Sequence, residues 1–290
     1  MRIGLFPGQG ISARDVYEAL TPGDGLLEEA GAILGYDLAP KVAPYSRRKG
    51  ALLPTWLAQP AIFVAGVLAH RRSVAAGTRY HCYAGHSMGE YTALVAAEAL
   101  SFKDGLKILS IRGREMQKAS VAHSGGMLAV LSLDPEVVIE VAEKSGTTVV
   151  NDNAPGQIVL AGDEAALGRA SRAVSDRGGR AVLLGVSGAF HTEAMASVRL
   201  PLQDALFSVA VRSWARPVIS NVTARPYRTP GEVRKLLTDQ VTSRVRFRES
   251  LLWAFERGVS EFEDLGPGGV VGGLADRVLG SLSPKAAAGV

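Results

Sequence analysis

The chain has 290 residues, of which 47% are hydrophobic and 21% charged, a composition typical of a globular protein with a sizeable core. The net charge is +4, but the basic residues occur in small separate clusters and aromatic residues make up only 6% of the chain, so nucleic-acid binding is not expected. The length permits one large domain, or one large domain with a small one.

The sequence shows no sign of a membrane span, of a disulfide, or of secretion and metal binding. The most apolar region, residues 51–70, is interrupted by Pro54, Gln59 and Pro60, which predicts a loop and a buried helix rather than a membrane span. The single cysteine, Cys82, excludes an intrachain disulfide and suits a cytoplasmic location. No signal peptide, metal-ligand spacing or Walker-type loop is visible, so we expect neither secretion nor a bound metal.

Taken in chain order, apolar runs and helical periodicity alternate, which predicts an α/β fold. Residues 11–50 are mixed helix and loop, and residues 281–290 are a frayed tail. Strands are predicted at residues 2–6, 80–83, 127–133, 147–151, 157–161, 180–186, 217–221 and 260–265. Helices are predicted at residues 90–100, 102–122, 134–144, 164–177, 194–208, 232–242 and 247–257, with a last one ending at 279.

Residues 126–186 differ from the rest in the order of their elements. They read β-α-β-β-α-β, the split βαβ order of ferredoxin-like domains. Residues 151–156 within them, rich in Asn, Pro and Gly, are predicted to be a turn. We therefore expect a small inserted subdomain at 126–186 and a large α/β domain formed by 1–125 and 187–290.

A G-x-S-x-G pattern at Gly85–Gly89 lies between a predicted strand and a predicted helix. This is the context of a nucleophile elbow, in which glycines permit a sharp turn that lifts the serine hydroxyl out of the chain. Ser87 would stand at the helix N-terminus, where unpaired N–H groups can stabilise negative charge. The pattern alone would equally fit an ordinary glycine turn with an exposed serine.

Candidate partners for Ser87 lie elsewhere in the chain. His191 follows a predicted strand in a Gly/Ser loop, a good position for acid–base chemistry, whereas His86 cannot easily fold back onto its neighbour. Gln9, in the turn after the first strand, could place an N–H near a reacting carbonyl. Arg112 lies among apolar residues of a helix, where it needs a partner unless it extends to solvent.

Eight segments together resemble one family. The chain is similar to the malonyl-CoA:acyl-carrier-protein transacylases and the related acyltransferase domains of polyketide and fatty-acid synthases, with the segments in that family's order over nearly the whole length. They are FPGQG (6–10), AQPAIF (58–63), GHSMGEYTAL (85–94), RGREMQ (112–117), NDNAPGQIVLAG (151–162), AFHTEAM (189–195), PVISNVTA (217–224) and LGPGGVVGGL (265–274).

The resemblance implies a large α/β-hydrolase-like lobe with a parallel sheet and an inserted ferredoxin-like lobe. It also implies roles for individual residues. Ser87 is the expected nucleophile and His191 its general base, while the N–H groups of Met88 and Gln9 form the expected oxyanion hole. Arg112 is expected to bind the malonyl carboxylate, because a guanidinium matches a carboxylate in geometry and keeps its charge.

Further residues are assigned by the same resemblance. Gln240 falls where the family presents a main-chain carbonyl to the histidine, but Arg244 stands where the family usually has proline, so Ser243 is an alternative acceptor. Phe190 precedes the base and is expected to favour malonyl over larger acyl groups. His86 and Asn153 complete the expected substrate contacts.

The implied reaction moves a malonyl group from coenzyme A to the phosphopantetheine thiol of an acidic acyl carrier protein, through an acyl-serine. The resemblance leaves two pathways open for the carrier, fatty-acid synthesis and polyketide synthesis. No metal or redox cofactor is expected, coenzyme A being a substrate carrier, and neither is a membrane or nucleic-acid partner. We expect a monomer, with Arg71, Arg72 and the arginines at 244, 246 and 248 as candidate carrier contacts.

Two alternatives stay open at this stage. An acyl-thioester hydrolase that edits stalled carriers would use the same serine and histidine. Such enzymes usually place an acid between the two in chain order, and the available Asp163 and Asp176 both lie in the small lobe. A non-catalytic docking module that kept the fold is the other alternative.

Overall fold

The computed structural model describes residues 1–23, 25–186 and 188–282, which form two β-sheets with flanking helices. The strands are β1 Arg2–Phe6, β2 Cys82–Gly85, β3 Gly126–Leu131, β4 Thr148–Ala154, β5 Gln157–Gly162, β6 Arg180–Leu183, β7 Val218–Ile219, β8 Val245–Arg246 and β9 Glu261–Asp264.

Twelve α-helices connect these strands in the described part of the chain. They are α1 Ala13–Ala19, α2 Leu26–Leu34, α3 Leu38–Ser46, α4 Thr55–Ala75, α5 Gly89–Ala96, α6 Phe102–Ala122, α7 Pro135–Ser145, α8 Glu164–Asp176, α9 Arg199–Phe207, α10 Pro230–Gln240, α11 Phe247–Phe255 and α12 Val270–Leu282. Short 3₁₀ turns occupy Glu193–Val198 and Pro267–Gly269. No described helix is both long and apolar enough to cross a bilayer.

The larger lobe is built on a parallel sheet in the order β7-β2-β1-β9. Strands β1, β2 and β7 are almost entirely buried, as expected for a parallel sheet covered by helices, whereas the edge strand β9, EFED, is acidic and partly exposed. Ile3 and Leu5 pack against α11 and α12, whereas Phe6 faces the core formed with α4 and α5. The carboxyl ends of β1 and β2 therefore meet at one edge, where an open α/β sheet assembles its sites.

The smaller lobe has a sheet in the order β6-β3-β5-β4, with antiparallel pairing between these neighbours. Numbered within the lobe, this is the order 4-1-3-2, which follows from two interlocked split βαβ units. Helices α7 and α8 bury one face of the sheet with Leu128, Val130 and Leu160. The predicted fold class, a large α/β lobe with an inserted ferredoxin-like lobe, is confirmed.

A fifth strand, which the sequence did not predict, joins the two lobes. Strand β8 pairs in parallel with β4, extending the small sheet with a segment of the large lobe. Beside it, Asp152 is only 1% exposed and accepts hydrogen bonds from Arg244 Nη2 at 2.9 Å and Arg248 Nη2 at 2.8 Å. These two arginines are thus engaged inside the chain, which gives no support to their expected role as carrier contacts.

Several predicted boundaries are wrong for identifiable reasons. The predicted turn at 151–156 is largely strand, since β4 continues to Ala154 where it pairs with β5 and β8. The helix predicted at 90–100 ends at Ala96, because Glu98 has a φ of +66°. The strand predicted to 133 ends at Leu131, before Ser132 with a φ of +63°.

The remaining differences concern the C-terminal third. The strand predicted to 186 ends at Leu183, and the helix predicted at 194–208 begins with a 3₁₀ segment. The last helix extends to Leu282, so the predicted frayed tail does not begin at 281. The rest of that tail, 283–290, lies outside the described residues.

Two glycines permit the turn between β2 and α5. A Cβ atom added at Gly85 would lie 1.9 Å from the carbonyl carbon of Gly89, and one added at Gly89 would lie 2.3 Å from the carbonyl oxygen of Phe6. Both neighbours are backbone atoms that cannot move aside without shifting a strand. The elbow therefore requires glycine at both positions.

We expect Gly85→Ala to lower the free energy of unfolding by about 3 kcal/mol or more, because the clash is with backbone in a close-packed core. Gly273→Ala, inside α12 with open space around it, should instead stabilise by roughly 0.5–1 kcal/mol. Urea denaturation of both variants measures this. Equal stabilities would contradict the packing described for the elbow.

Candidate active site

The candidate site begins at Ser87, which lies between β2 and α5 with a φ of +52°. A non-glycine residue in this left-handed region is strained by about 1–2 kcal/mol, so the surroundings must hold it. Asn221, from the loop after β7, does so on both sides. Its Oδ1 accepts the Ser87 N–H at 2.6 Å and its Nδ2 donates to the Gly85 carbonyl at 2.7 Å.

His191 faces the serine hydroxyl. Its Nε2 lies 2.9 Å from Ser87 Oγ, and its Nδ1 donates to the backbone carbonyl of Gln240 at 2.8 Å. The backbone of Ser243, the alternative acceptor, also lies near the ring. Because the carbonyl holds the proton on Nδ1, Nε2 is left as the acceptor for the serine proton. This is the arrangement of a nucleophile, a base and a group that orients the base.

The environment keeps this imidazole neutral. Burial lowers the pKa of His191 to about 3, and the charge of Arg112 adds to that effect. A neutral ring near pH 7 can take a proton from the hydroxyl and pass it to a leaving group. The hydrogen bond to the Gln240 carbonyl stabilises the imidazolium that forms transiently, since it favours the charged ring.

Arg112 completes the group from the middle of α6 and is 0% exposed. Its Nη2 donates to Ser87 Oγ at 3.2 Å and to Gln240 Oε1 at 3.0 Å, and its Nη1 donates to Gln59 Oε1 at 3.0 Å. The guanidinium also lies 5.7 Å from the centre of the Tyr91 ring. No carboxylate of the described residues forms an ion pair with it, so a buried cation stands beside the nucleophile with neutral partners only.

The two glutamines present oxygen to Arg112 because their amide nitrogens are engaged elsewhere. Gln59 Nε2 donates to Gln9 Oε1 at 2.8 Å, and Gln240 Nε2 donates to the Ser87 carbonyl at 3.0 Å and to Glu90. A guanidinium can only donate, so each amide must turn its oxygen inward. The receptor for an anion is therefore preformed.

A cavity of about 230 Å³ opens over these groups between the two lobes. Its walls are mainly apolar side chains from both lobes, among them Phe190, Met127 and Val159. Seven polar residues line it as well, including both Ser87 and His191. The polar residues are Gln9, His86, Ser87, Asn151, Asn153, Gln157 and His191.

The other predicted site residues lie around this cavity. His86 Nε2 and Asn153 Oδ1 are 2.8 Å apart and both line the cavity, one from each lobe. Gln9 lines it as well, and the N–H of Met88 stands at the start of α5, where helical N–H groups have no intrahelical acceptor. The structure thus brings all nine predicted residues to one place; their roles remain predictions.

The acids that a hydrolase would need lie away from the histidine. Asp163 Oδ1 caps α8 by accepting the Ala166 N–H at 2.7 Å, and Asp176 ends the same helix at an exposed position. The His191 ring is instead oriented by a carbonyl. Within the described ranges, no cluster of three or more His, Cys, Asp or Glu residues could hold a metal ion.

Sequence reasoning assigned no role to two buried polar residues of the site. Asn221 clamps the elbow, and Glu90 is a fully buried acid one turn after Ser87 that accepts hydrogen bonds from the Asn221 N–H, Tyr227 Oη and Gln240 Nε2. An acid directly after G-x-S-x-G, in a helix that must be buried, was the available indication for Glu90. Asn221 carries no local indication, because its partners are more than 130 residues away.

Comparison with known proteins places the chain among acyltransferases. The acyl transferase domain family matches residues 12–271. The malonyl CoA-acyl carrier protein transacylase of Bacillus subtilis is 36% identical over 284 residues, 94% of this chain and 89% of that protein. The solved structure of the Burkholderia pseudomallei malonyl CoA-acyl carrier protein transacylase has a TM-score of 0.87 at 32% identity, covering 98% of this chain and 99% of that one.

One relative is much longer. The polyketide biosynthesis protein ThaF of Burkholderia thailandensis is 39% identical over 286 residues, which are 96% of this chain but 24% of that protein. The chain therefore corresponds to about a quarter of ThaF and to most of the Bacillus subtilis protein. The resemblance inferred from the sequence segments is confirmed.

The lowered pKa of His191 makes a testable prediction. A base that protonates only near pH 3 remains neutral at pH 5, so the reactivity of Ser87 should not fall as pH is lowered from 7 to 5. Labelling by a fluorophosphonate probe measures this, with His191→Ala as the unlabelled control. A midpoint near 6.5, the value of an unperturbed histidine, would contradict the buried, neutral ring.

Proposed function

The chain belongs to the acyl transferase family, and we propose that it moves a malonyl group from coenzyme A to the phosphopantetheine thiol of an acyl carrier protein through an acyl-serine intermediate. The observation that carries the proposal is the buried guanidinium of Arg112, 3.2 Å from Ser87 Oγ and without a carboxylate partner in the described chain. A buried charge is costly until it is paired. A malonyl group on Ser87 supplies the missing carboxylate.

In the first half-reaction, Ser87 Oγ attacks the thioester carbonyl of malonyl-CoA while His191 Nε2 takes the hydroxyl proton. The N–H groups of Met88 and Gln9 stabilise the oxyanion, each contributing roughly 3–4 kcal/mol to the transition state. The intermediate collapses when the C–S bond breaks, and His191 returns the proton to the thiolate of coenzyme A. The malonyl group is then an ester of Ser87.

The second half-reaction repeats these steps with the carrier's thiol. The thiol gives its proton to His191 and attacks the ester carbonyl, and Ser87 Oγ leaves with that proton. Transfer between two thiols has little net driving force, so the two halves can share the same groups. Water competes poorly because the cavity walls are apolar and Arg112 fixes the far end of the acyl group.

Arg112 and Phe190 account for selectivity in different ways. The guanidinium binds a carboxylate, which acetyl lacks, so it discriminates strongly between the two. Phe190, beside the base, limits space near the α-carbon. Discrimination against one extra methyl group is only about 1–3 kcal/mol, so methylmalonyl would be excluded incompletely.

The wider setting of the reaction stays a prediction. An acidic carrier protein, of fatty-acid or polyketide synthesis, is the proposed partner; relatives named malonyl CoA-acyl carrier protein transacylase and relatives named for polyketide biosynthesis both occur. We propose that the reaction uses no metal or redox cofactor and that the protein is a cytoplasmic monomer. Hydrolysis of acyl thioesters on stalled carriers is the alternative activity, but that reaction would not need the guanidinium of Arg112.

The direct test of the function is covalent labelling. Incubation with radiolabelled malonyl-CoA should label Ser87, and addition of a holo acyl carrier protein should move the label to the carrier. Ser87→Ala should retain no label, and His191→Ala should react about 10³-fold more slowly or worse. Label in Ser87→Ala, or release of free malonate instead of transfer, would overturn the proposal.

Replacing the guanidinium tests its role separately from the chemistry. We expect Arg112→Ala to lower kcat/KM for malonyl-CoA by about 100-fold or more, because a desolvated ion pair is lost, while acetyl-CoA is affected much less. Arg114→Ala, an exposed arginine on the same helix, is the control and should leave both values unchanged. An equal loss of kcat/KM for malonyl-CoA and acetyl-CoA in Arg112→Ala would show that Arg112 does not bind the carboxylate.

A further inference from the structure

The buried acid Glu90 has no place in the reaction described so far. Its side chain is 0% exposed and accepts hydrogen bonds from the Asn221 N–H, from Tyr227 Oη at 3.1 Å and from Gln240 Nε2. Within the described residues it has no ion-pair partner. Burying a carboxyl group without an ion-pair partner costs free energy of folding, so we expect Glu90, one turn after the nucleophile, to have a function.

Gln240 connects Glu90 to both halves of the site. Its backbone carbonyl orients His191, its Oε1 accepts from Arg112 at 3.0 Å, and its Nε2 donates to Glu90 and to the Ser87 carbonyl. A primary amide can be turned over, which would exchange its oxygen and nitrogen. The neighbours on the nitrogen side therefore decide what the amide presents to Arg112.

Glu90 sets this orientation together with the Ser87 carbonyl, which also accepts from Gln240 Nε2. The Glu90 oxygens accept from the Asn221 N–H, the Gln240 amide and Tyr227 Oη, and only Tyr227 Oη could in turn accept a hydrogen bond from a protonated carboxyl group. Burial raises the pKa of the Glu90 carboxyl to about 8, partly offset by these hydrogen bonds and by Arg112. Whether protonated toward Tyr227 or ionised, the carboxyl group offers an acceptor to Gln240, so the amide nitrogen stays on the Glu90 side and the oxygen on the Arg112 side.

We infer that Glu90 acts through the side-chain amide of Gln240 as a positioning residue for Arg112, and that this pair sets the preference for malonyl over acetyl groups. The inference rests on the proposed malonyl transfer. It assigns a task to the side chain of Gln240 distinct from that of its backbone carbonyl, which orients His191 in any variant of the side chain.

Glu90→Gln is the sharpest test because it keeps the shape of the side chain and replaces only the carboxyl oxygen that Gln240 and Tyr227 contact. The backbone N–H of Asn221 requires the oxygen of the new amide, so the new nitrogen must face Gln240. Gln240 can then avoid two opposed donors only by turning over, which presents its NH₂ group to the guanidinium and its oxygen to the Ser87 carbonyl, so neither orientation keeps all the contacts of the wild-type amide. Arg112 would lose one of its two amide acceptors while Ser87 and His191 keep their own contact.

The measurement is the single-turnover rate of acyl-enzyme formation from malonyl-CoA and from acetyl-CoA. Loss of a hydrogen bond to a charged group corresponds to about 10- to 100-fold. We therefore expect the malonyl rate of Glu90→Gln to fall by about that factor and the acetyl rate to change less than about threefold. The matched control is Tyr227→Phe, which removes a donor from the same carboxyl group without touching Gln240, and it should keep the wild-type ratio.

A second variant covers the case in which Glu90→Gln does not fold. Gln240→Met keeps side-chain length and the backbone carbonyl but removes the acceptor for Arg112. It also removes the donor to the Ser87 carbonyl, so both acyl rates can fall, but the malonyl rate should fall by about 10-fold or more beyond the acetyl rate.

Two results would overturn the inference: an unchanged ratio in the variant that folds, or an equal loss for both acyl groups together with lost labelling, which would mark a purely structural role. A wild-type protein that takes no malonyl group would refute the proposed function and this inference with it. A wild type that does, with unchanged ratios in the variants, refutes the inference alone.

Discussion

The interaction on which the site depends is the burial of a guanidinium without a carboxylate. Arg112 is fully buried between two amide oxygens, a tyrosine ring and the hydroxyl of Ser87. Neutral acceptors stabilise the buried charge enough for the fold to tolerate it, but they do not supply the ion pair that would neutralise it. In the proposed reaction, the carboxylate of a malonyl group on Ser87 would pair with this charge. Selectivity and covalent chemistry would then both depend on the contact between Arg112 and Ser87.

The two lobes are arranged to support this interaction. The large sheet supplies the turn on which Ser87 stands, and the small lobe closes the cavity with apolar side chains and with Asn153, which contacts His86 across the cleft. Strand β8 and the Asp152 pairings with Arg244 and Arg248 join the small sheet to the segment after Gln240. The residues that orient His191 and Arg112 are therefore tied to both lobes, which limits their relative movement at the reacting atoms.

Much of the fold and of the candidate site could be predicted because short stretches of sequence determine it. The strand–turn–helix context of Ser87 requires glycines at fixed spacing, and the small lobe follows from the order of its elements. What could not be predicted depends on contacts between distant residues. The segment 151–154 has a turn-like composition, yet it is strand because β5 pairs with it on one side and β8 pairs with its first two residues on the other. Asn221 and Glu90 acquire their roles only when α5, β7 and α10 converge, and no periodicity shows that convergence.

The contacts of Arg244 and Arg248 depend on distant residues in the same way. Both side chains donate to the buried carboxylate of Asp152, about 90 residues earlier, although 36% and 30% of the two side chains remain exposed. At Arg244, the charged hydrogen bond to Asp152 helps to hold the loop after α10 in place.

The most direct measurement of the central claim is a crystal structure of the enzyme malonylated on Ser87. The account predicts that the terminal carboxylate of the acyl group contacts both terminal nitrogens of Arg112, that the Arg112–Ser87 hydrogen bond is broken, and that Gln59 and Gln240 keep their amide oxygens toward the guanidinium. A carboxylate that points into solvent or toward another cation, with Arg112 still bound to Ser87 Oγ, would contradict it.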